Sequence, residues 1–372
     1  SKYMILRKRQ VVRMSDVIFM VFWTAAMAIA LYLTVRYLWP LLLVASYVFY
    51  WCASPWYLLF MGVTTVSTYA VSRLLERVNN TQKTYLAEHK ADLDKDAKKA
   101  YKAKMKKKKW HLLLLCLIFN IGILSVTKYT NFVITNINGF LSGENKLALV
   151  DMIVPMGISF YTFQTMGYII DVYRDKQPAQ KNFFKLALFV SFFPQLAQGP
   201  ISRYGDLSKT LFEPHRFDGK TVSYGLMRIL WGYFKKLVIA DRIAVAVLTL
   251  RGPEYTGLSF FVLTCFYAIQ IYGDFTGGID IALGLSEALG ISLPENFAHP
   301  FFSKNIAQYW RRWHITLGQW MKEYVFYPLA LSKSSVKLSK KLAASKFGSS
   351  KYGSHVAKVL PSSIASLVVF FL

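Results

Sequence analysis

A chain of 372 residues that is 54% hydrophobic, has a mean hydropathy of +0.31 and carries only 17% charged residues is excluded from the soluble globular class, where about a quarter is charged. The net charge of +25 would suit nucleic acid, but the basic residues stand in short blocks beside long apolar runs, as in membrane proteins that mark their cytoplasmic side, so no nucleic-acid partner is expected. Cys52, Cys116 and Cys265 lie far apart in apolar runs, which supports neither a disulfide framework nor a zinc site, and no metal is expected.

In chain order, residues 1–16 form a basic leader and 17–35 the first predicted span. Residues 37–71 are apolar with a break near Ser54-Pro55. Residues 72–110 hold 13 Lys/Arg against 5 Asp/Glu and read as a solvated cytoplasmic segment, with lipid headgroup contact as the sharper alternative. Further spans are predicted at 111–126, at 147–170 with a bend at Pro155-Met156-Gly157, and at 183–201. Residues 222–250 contain Lys235-Lys236 and Asp241-Arg242, which predicts surfacing midway; 256–289 are interrupted by Gly273, Gly277 and Gly278. Residues 310–331 are amphipathic. Residues 332–358 have seven Lys and no acid and read as a cytoplasmic loop; 359–372 read as a final helix expected to continue beyond Leu372. The expectation is an all-α polytopic membrane protein of eight to ten membrane segments, one integral-membrane domain over 1–372 with its core at 150–331. A barrel's alternation and an internal repeat are both absent from the sequence.

Polar residues inside apolar runs mark candidate sites, because an arginine at bilayer depth costs roughly 2.5–3.5 kcal/mol. Tyr309-Trp310-Arg311-Arg312-Trp313-His314-Ile315-Thr316-Leu317 sets two arginines and a histidine among tryptophans. On a continuous helix Trp310, Trp313, His314, Leu317, Trp320, Met321 and Tyr324 would share one face, with Arg311 and Arg312 opposite. Ser159, Thr162 and Gln164 follow Pro155-Met156-Gly157 and suit helix packing; Asp171 and Arg174 are spaced to pair at a helix end. Pro194, Gly199-Pro200 and Arg203 break an apolar run, as either a cavity wall or a helix-end turn. Asp274 and Asp280, six apart, fall on different helix faces, and Asp274 reads either as a partner that holds Arg311 or Arg312 in place or as a direct catalytic carboxylate. His89, His111, His215, His299 and His355 lie in basic or proline-flanked connecting segments and read as structural or solvated.

These motifs in order, with Glu295-Asn296-Phe297 and Trp310-Arg-Arg-Trp-His-Ile-Thr-Leu317, resemble the membrane-bound O-acyltransferases over about residues 39–328. The branch they resemble is that of the alginate O-acetyltransferase membrane subunit and related polysaccharide and peptidoglycan O-acetylases. The resemblance implies a multi-helix fold around a central tunnel, lined by Gln164, Arg203, Asp274, Asp280, Asn296, Trp310, Arg311, Arg312 and Trp313. It implies acetyl-CoA as donor, no permanently bound cofactor, an extracytoplasmic acetyltransferase partner, a polysaccharide acceptor, and a bacterial plasma membrane location with basic loops cytoplasmic. His314 matches one of two marker histidines. The second, in a Trp-His-Gly motif, does not occur in these 372 residues and is expected beyond Leu372. Gly273, and Gly278-Ile279 where the branch usually has Tyr-Ser, also depart from its pattern.

Acyl transfer to a weakly nucleophilic hydroxyl needs a base, and histidine meets that need near neutral pH. The missing histidine is expected to act as base or nucleophile, with His314 positioning a substrate or completing a hydrogen-bond network, and Arg311 and Arg312 meeting donor phosphates. The competing readings are a D-alanyl transferase of teichoic acid modification with a carrier-protein donor, and a non-catalytic transporter or scaffold.

Overall fold

The computed structural model describes residues 38–371 except 91, 142–144, 152–153, 197, 251–256 and 347, so the predicted leader and first span lie outside the described residues. Among the described residues every regular element is helical. The chain packs as two compact units, Ser1–Leu293 and Pro294–Leu372.

In the first unit, α1 (Trp39–Ala53) ends where Ser54 turns extended ahead of Pro55, because a residue before proline avoids the helical region. Proline then opens α2 (Pro55–Glu88), at the position where its missing N–H is not needed. The next helix, α3 (Lys95–Phe140), starts on Asp94, whose carboxylate accepts the Ala97 N–H at 2.6 Å. At 46 residues α3 is about 69 Å long, more than twice the ~30 Å of hydrocarbon in a bilayer, so its lysine-rich end can stand in water while its apolar part crosses.

The predicted span at 147–170 is corrected. Residues 146–151 run extended beside α3, held by two asparagines two helical turns apart. Asn138 accepts the Leu147 N–H at 2.7 Å and donates to the Leu147 carbonyl at 2.8 Å. Asn131 does the same for Val150, at 2.9 and 2.8 Å. Two helical turns advance about 10.5 Å and three extended residues about 10 Å, so both rungs fit one straight strand. Helix α4 (Ile158–Tyr173) begins after Gly157, whose φ of +73° and approach to the Leu196 carbonyl (2.7 Å from an ideal Cβ) leave room only for glycine. The core of this unit holds Phe49, Tyr50, Met61, Leu75, Tyr161, Tyr168, Phe189 and Phe193, fully buried among α1, α2, α4, α5 (Phe183–Ser191) and the short α6 (Phe193–Leu196). Irregular backbone follows through Gly199-Pro200 to α7 (Tyr204–Leu211).

Helix α8 (Gly219–Tyr233), a π-helical stretch (Phe234–Ala240) and α9 (Asp241–Thr249) follow one another without a loop. One further expectation changes. Helix α10 (Leu258–Ala288) runs uninterrupted through its glycines. Those glycines serve contact instead. Gly225 faces Gly284 and Gly232 faces Gly277, seven-residue steps in opposite directions along an antiparallel pair. An ideal Cβ at Gly225 would lie 2.5 Å from the Gly284 carbonyl, and one at Gly232 2.7 Å from that of Gly277. Small residues here let two backbones touch, which is how helices gain packing energy where lipid supplies no hydrophobic drive.

In the second unit, a loop from Pro294 leads through a 3-10 turn (Pro300–Phe302) to α11 (Ile306–Arg312) and α12 (Ile315–Met321). A π-helical turn (Lys322–Phe326), α13 (Tyr327–Ala330), α14 (Lys333–Ala343) and α15 (Lys351–Phe371) complete it. Among the described residues four helices are long and apolar enough to cross a membrane: α2, α3, α10 and α15. Large apolar side chains are exposed on them, including Leu115 and Phe132 on α3, Phe260 and Phe261 on α10, and Leu367 and Phe370 on α15, as lipid-facing helices require.

Candidate functional site

The chemically most distinctive arrangement lies in the second unit, where the loop after Pro294 clasps the junction of α11 and α12. Backbone hydrogen bonds run from Ala298 N–H to the Arg312 carbonyl at 3.0 Å and from Ile315 N–H to the Asn296 carbonyl at 2.9 Å. Between them sits the side chain of Asn296, wholly buried. Its Oδ1 accepts from the Thr316 N–H at 3.0 Å, the Thr316 hydroxyl at 2.9 Å and His314 Nδ1 at 3.1 Å. A carbonyl oxygen can only accept, so Nδ1 carries the proton and Nε2 the lone pair; the tautomer is assigned from this network.

His314 has φ +46°, in the left-handed region that a non-glycine residue seldom occupies. The continuous helix expected over 309–324 is therefore corrected: it breaks at Trp313-His314, and the single aromatic face does not form. The break turns the imidazole onto Asn296. Phe297 lies nearly parallel to the imidazole with 6.5 Å between ring centres, Trp313 meets Phe297 edge-on at 5.1 Å, and Tyr309 stacks on Trp313 at 5.7 Å. His314 lies outside the four membrane-length helices, and loss of hydration pushes its pKa down to about 4. The imidazole is thus neutral at physiological pH, with Nε2 able to accept a proton. Asn296 Nδ2 is buried and has no hydrogen-bond partner among the described residues.

The remaining candidates divide. Arg312 reaches the carbonyls of His299 and Phe302 at 3.4 and 3.3 Å and closes the 3-10 turn, while Arg311 is exposed. Trp310 meets Tyr309 at 5.3 Å and Phe370 of α15 at 5.4 Å, both edge-to-face. In the first unit, Gln164 is buried on α4 with no partner for Oε1, and Arg203 precedes α7 with its carbonyl accepting the Leu207 N–H at 3.0 Å. Asp280 takes Arg228 at 3.1 Å and also Lys235. Asp274 pairs with Lys236, in place of the expected Arg311 or Arg312, and Lys236 also reaches Asp241 at 3.0 Å. The Lys235-Lys236 pair faces the carboxylates of α10. Thr316, Arg228, Lys235 and Lys236 are thus the residues that sequence reasoning did not place in these clusters. The matched glycine steps on α8 and α10 were the one signal that could have aligned the last three with Asp274 and Asp280. Of the two branch departures, Gly273 lies against Ala240, and Gly278 makes room for Gln198, whose Oε1 would fall 1.7 Å from an ideal Cβ there.

Residues 174–345 match the family model described as membrane-bound O-acyltransferase. Those residues belong to that family. It is 34% identical to the probable alginate O-acetylase AlgI of Pseudomonas aeruginosa over 307 residues, 81% of this chain and 54% of the relative. It is 35% identical to the peptidoglycan O-acetyltransferase of Helicobacter pylori over 246 residues, 58% of this chain and 46% of the relative. Similarity to the teichoic acid D-alanyltransferase of Bacillus subtilis is 31% over 182 residues, 47% of this chain and 46% of the relative. The chain spans about half the length of the curated relatives it matches. The O-acyltransferase match contains both the ionic cluster of α8–α10 and the Asn296–His314 clasp.

Proposed function

We propose that this chain belongs to the membrane machinery of an O-acetyltransferase, which passes an acetyl group from a cytosolic thioester, acetyl-CoA, across the bilayer for attachment to a polysaccharide hydroxyl outside. The observation that carries the reading is the neutral, Asn296-oriented imidazole of His314 within the Trp-Arg-Arg-Trp-His-Ile-Thr-Leu motif. An imidazole held neutral in one tautomer can accept a hydrogen bond from the hydroxyl or orient the base that takes its proton, and assistance by such a base is worth typically 10²–10⁴-fold. Asn296 is a positioning residue. The aromatic wall of Phe297, Tyr309 and Trp313 limits water at the imidazole, which favours transfer over hydrolysis of a thioester. Arg311, exposed beside this wall, is the arginine better placed for donor phosphates, since Arg312 is engaged with backbone carbonyls.

A second histidine supplied by the rest of the protein would complete the base, and an extracytoplasmic transferase would receive the acetyl group. The location is a bacterial plasma membrane, with the lysine-rich segments 72–110 and 332–358 on the cytoplasmic face. Acetyl transfer is favoured over D-alanyl transfer because the acetylase relatives align over more of the chain. The test is to offer acetyl-labelled coenzyme A to inverted vesicles carrying the full-length protein, its partner and acceptor. Label in polysaccharide supports the reading. Label taken up without covalent transfer would indicate a transporter, and label transferred only from a D-alanyl carrier protein would indicate the teichoic acid reaction.

A further inference from the structure

Helix α14 carries Lys333, Lys337, Lys340 and Lys341, all exposed. At about 100° per residue these four fall within one arc of about 100°, and serine and apolar residues fill the rest of the circumference. Ser339, on the far side from that arc, makes the contact with α15: its hydroxyl donates to the Ala357 carbonyl at 2.7 Å. The lysine face therefore points away from the unit's interior. No Asp or Glu occurs from residue 324 to residue 372. Among the described residues none of the four lysines has an ion-pair partner. Four like charges on one helical face repel one another, and an anionic surface facing them relieves that repulsion.

The depth of the helix says which surface. Ala357 stands immediately before Lys358, where the polar start of α15 gives way to an apolar run from Val359. Helix α14 is level with this boundary, and lysines at that level meet the phosphates of the bilayer rather than its hydrocarbon. We infer that the lysine face of α14 is a seat for the headgroups of anionic phospholipids, fixing this unit against the membrane surface. The inference rests on α15 as a membrane helix and stands apart from the acyl-transfer reading.

The test uses the full-length protein in neutral detergent, titrated with phosphatidylglycerol or phosphatidylcholine, with bound lipid counted by native mass spectrometry. Each lysine at an anionic surface contributes about fivefold to affinity. The pairs Lys333→Gln/Lys337→Gln and Lys340→Gln/Lys341→Gln should each weaken phosphatidylglycerol binding at least about tenfold. The matching Lys→Arg pairs should retain it, and phosphatidylcholine binding should not change. Raising salt should weaken phosphatidylglycerol binding by the wild-type protein toward that of the Gln variants. Unchanged phosphatidylglycerol binding in both folded Gln pairs would overturn the inference. So would a loss confined to capture of an acidic acyl-carrier protein, which would make α14 a protein-docking face. If one pair fails to fold, the other decides.

Discussion

A single methyl group added to Gly225 measures how closely α8 and α10 must approach. An ideal Cβ there lies 2.5 Å from the Gly284 carbonyl oxygen and 2.6 Å from the Ala288 nitrogen, about 0.9 Å short of the 3.4 Å at which ordinary contact begins. Both neighbours are backbone, so the helices must part rather than a side chain swing aside. Overpacking of this kind costs about 1–3 kcal/mol, against a gain of about 0.8–1.0 kcal/mol from replacing a helical glycine by alanine. Gly225→Ala is expected to be destabilising by up to about 2 kcal/mol, and Gly284→Ala likewise, since its Cβ would meet the Gly225 carbonyl at 2.5 Å. The control is Gly122 on α3, where a Cβ meets nothing within 4 Å. Gly122→Ala should therefore be stabilising by about 0.5–1 kcal/mol. Thermal unfolding of the detergent-solubilised protein, followed by intrinsic fluorescence, reads both signs. Shifts in the same direction for Gly225→Ala and Gly122→Ala would refute close helix approach as the reason for these glycines.

Three further outcomes are expected. Asp280→Asn leaves Arg228 and Lys235 without their carboxylate and should cost about 3 kcal/mol in the same unfolding assay, with Lys235→Met added to it restoring much of the loss. Asn131→Ala with Asn138→Ala removes four hydrogen bonds to residues 147 and 150; hydrogen exchange at those amides should quicken at least about tenfold while global unfolding moves little. His314 has a folded pKa of about 4, below the ordinary 6.5, so its contribution to stability is complete above pH 6.5 and is lost as pH falls toward 4. Over that window the wild type should lose up to about 1.4 kcal/mol per pH unit relative to His314→Gln, and parallel curves would show that the imidazole is not buried as described.

The membrane class was legible because apolar runs and lysine blocks act locally, and the break at Ser54-Pro55 was legible because proline restricts its neighbour whatever the surroundings. What escaped depends on partners distant in sequence. Residues 147–150 have the apolar composition of a helix, but two asparagines on α3 hold them extended. Glycine on α10 has the same letters as a helix breaker, and only the facing glycines of α8 make it a contact. Nothing in the 3.6-residue periodicity of 309–324 signals that His314 adopts a left-handed conformation, because the loop at 294–298 supplies the hydrogen bonds that hold it. His314 itself, Asn296 and the aromatic residues around them were legible as motif members, but not their mutual geometry.

The most direct measurement is acetyl transfer by the full-length protein with His314→Ala or Asn296→Leu, each checked for folding by size-exclusion and helix content. Both should lower the transfer rate, His314→Ala by about 10²-fold or more, with Asn296→Leu in between because it loosens the imidazole without removing it. Wild-type rates from folded His314→Ala protein would show that the clasped imidazole takes no part in the reaction.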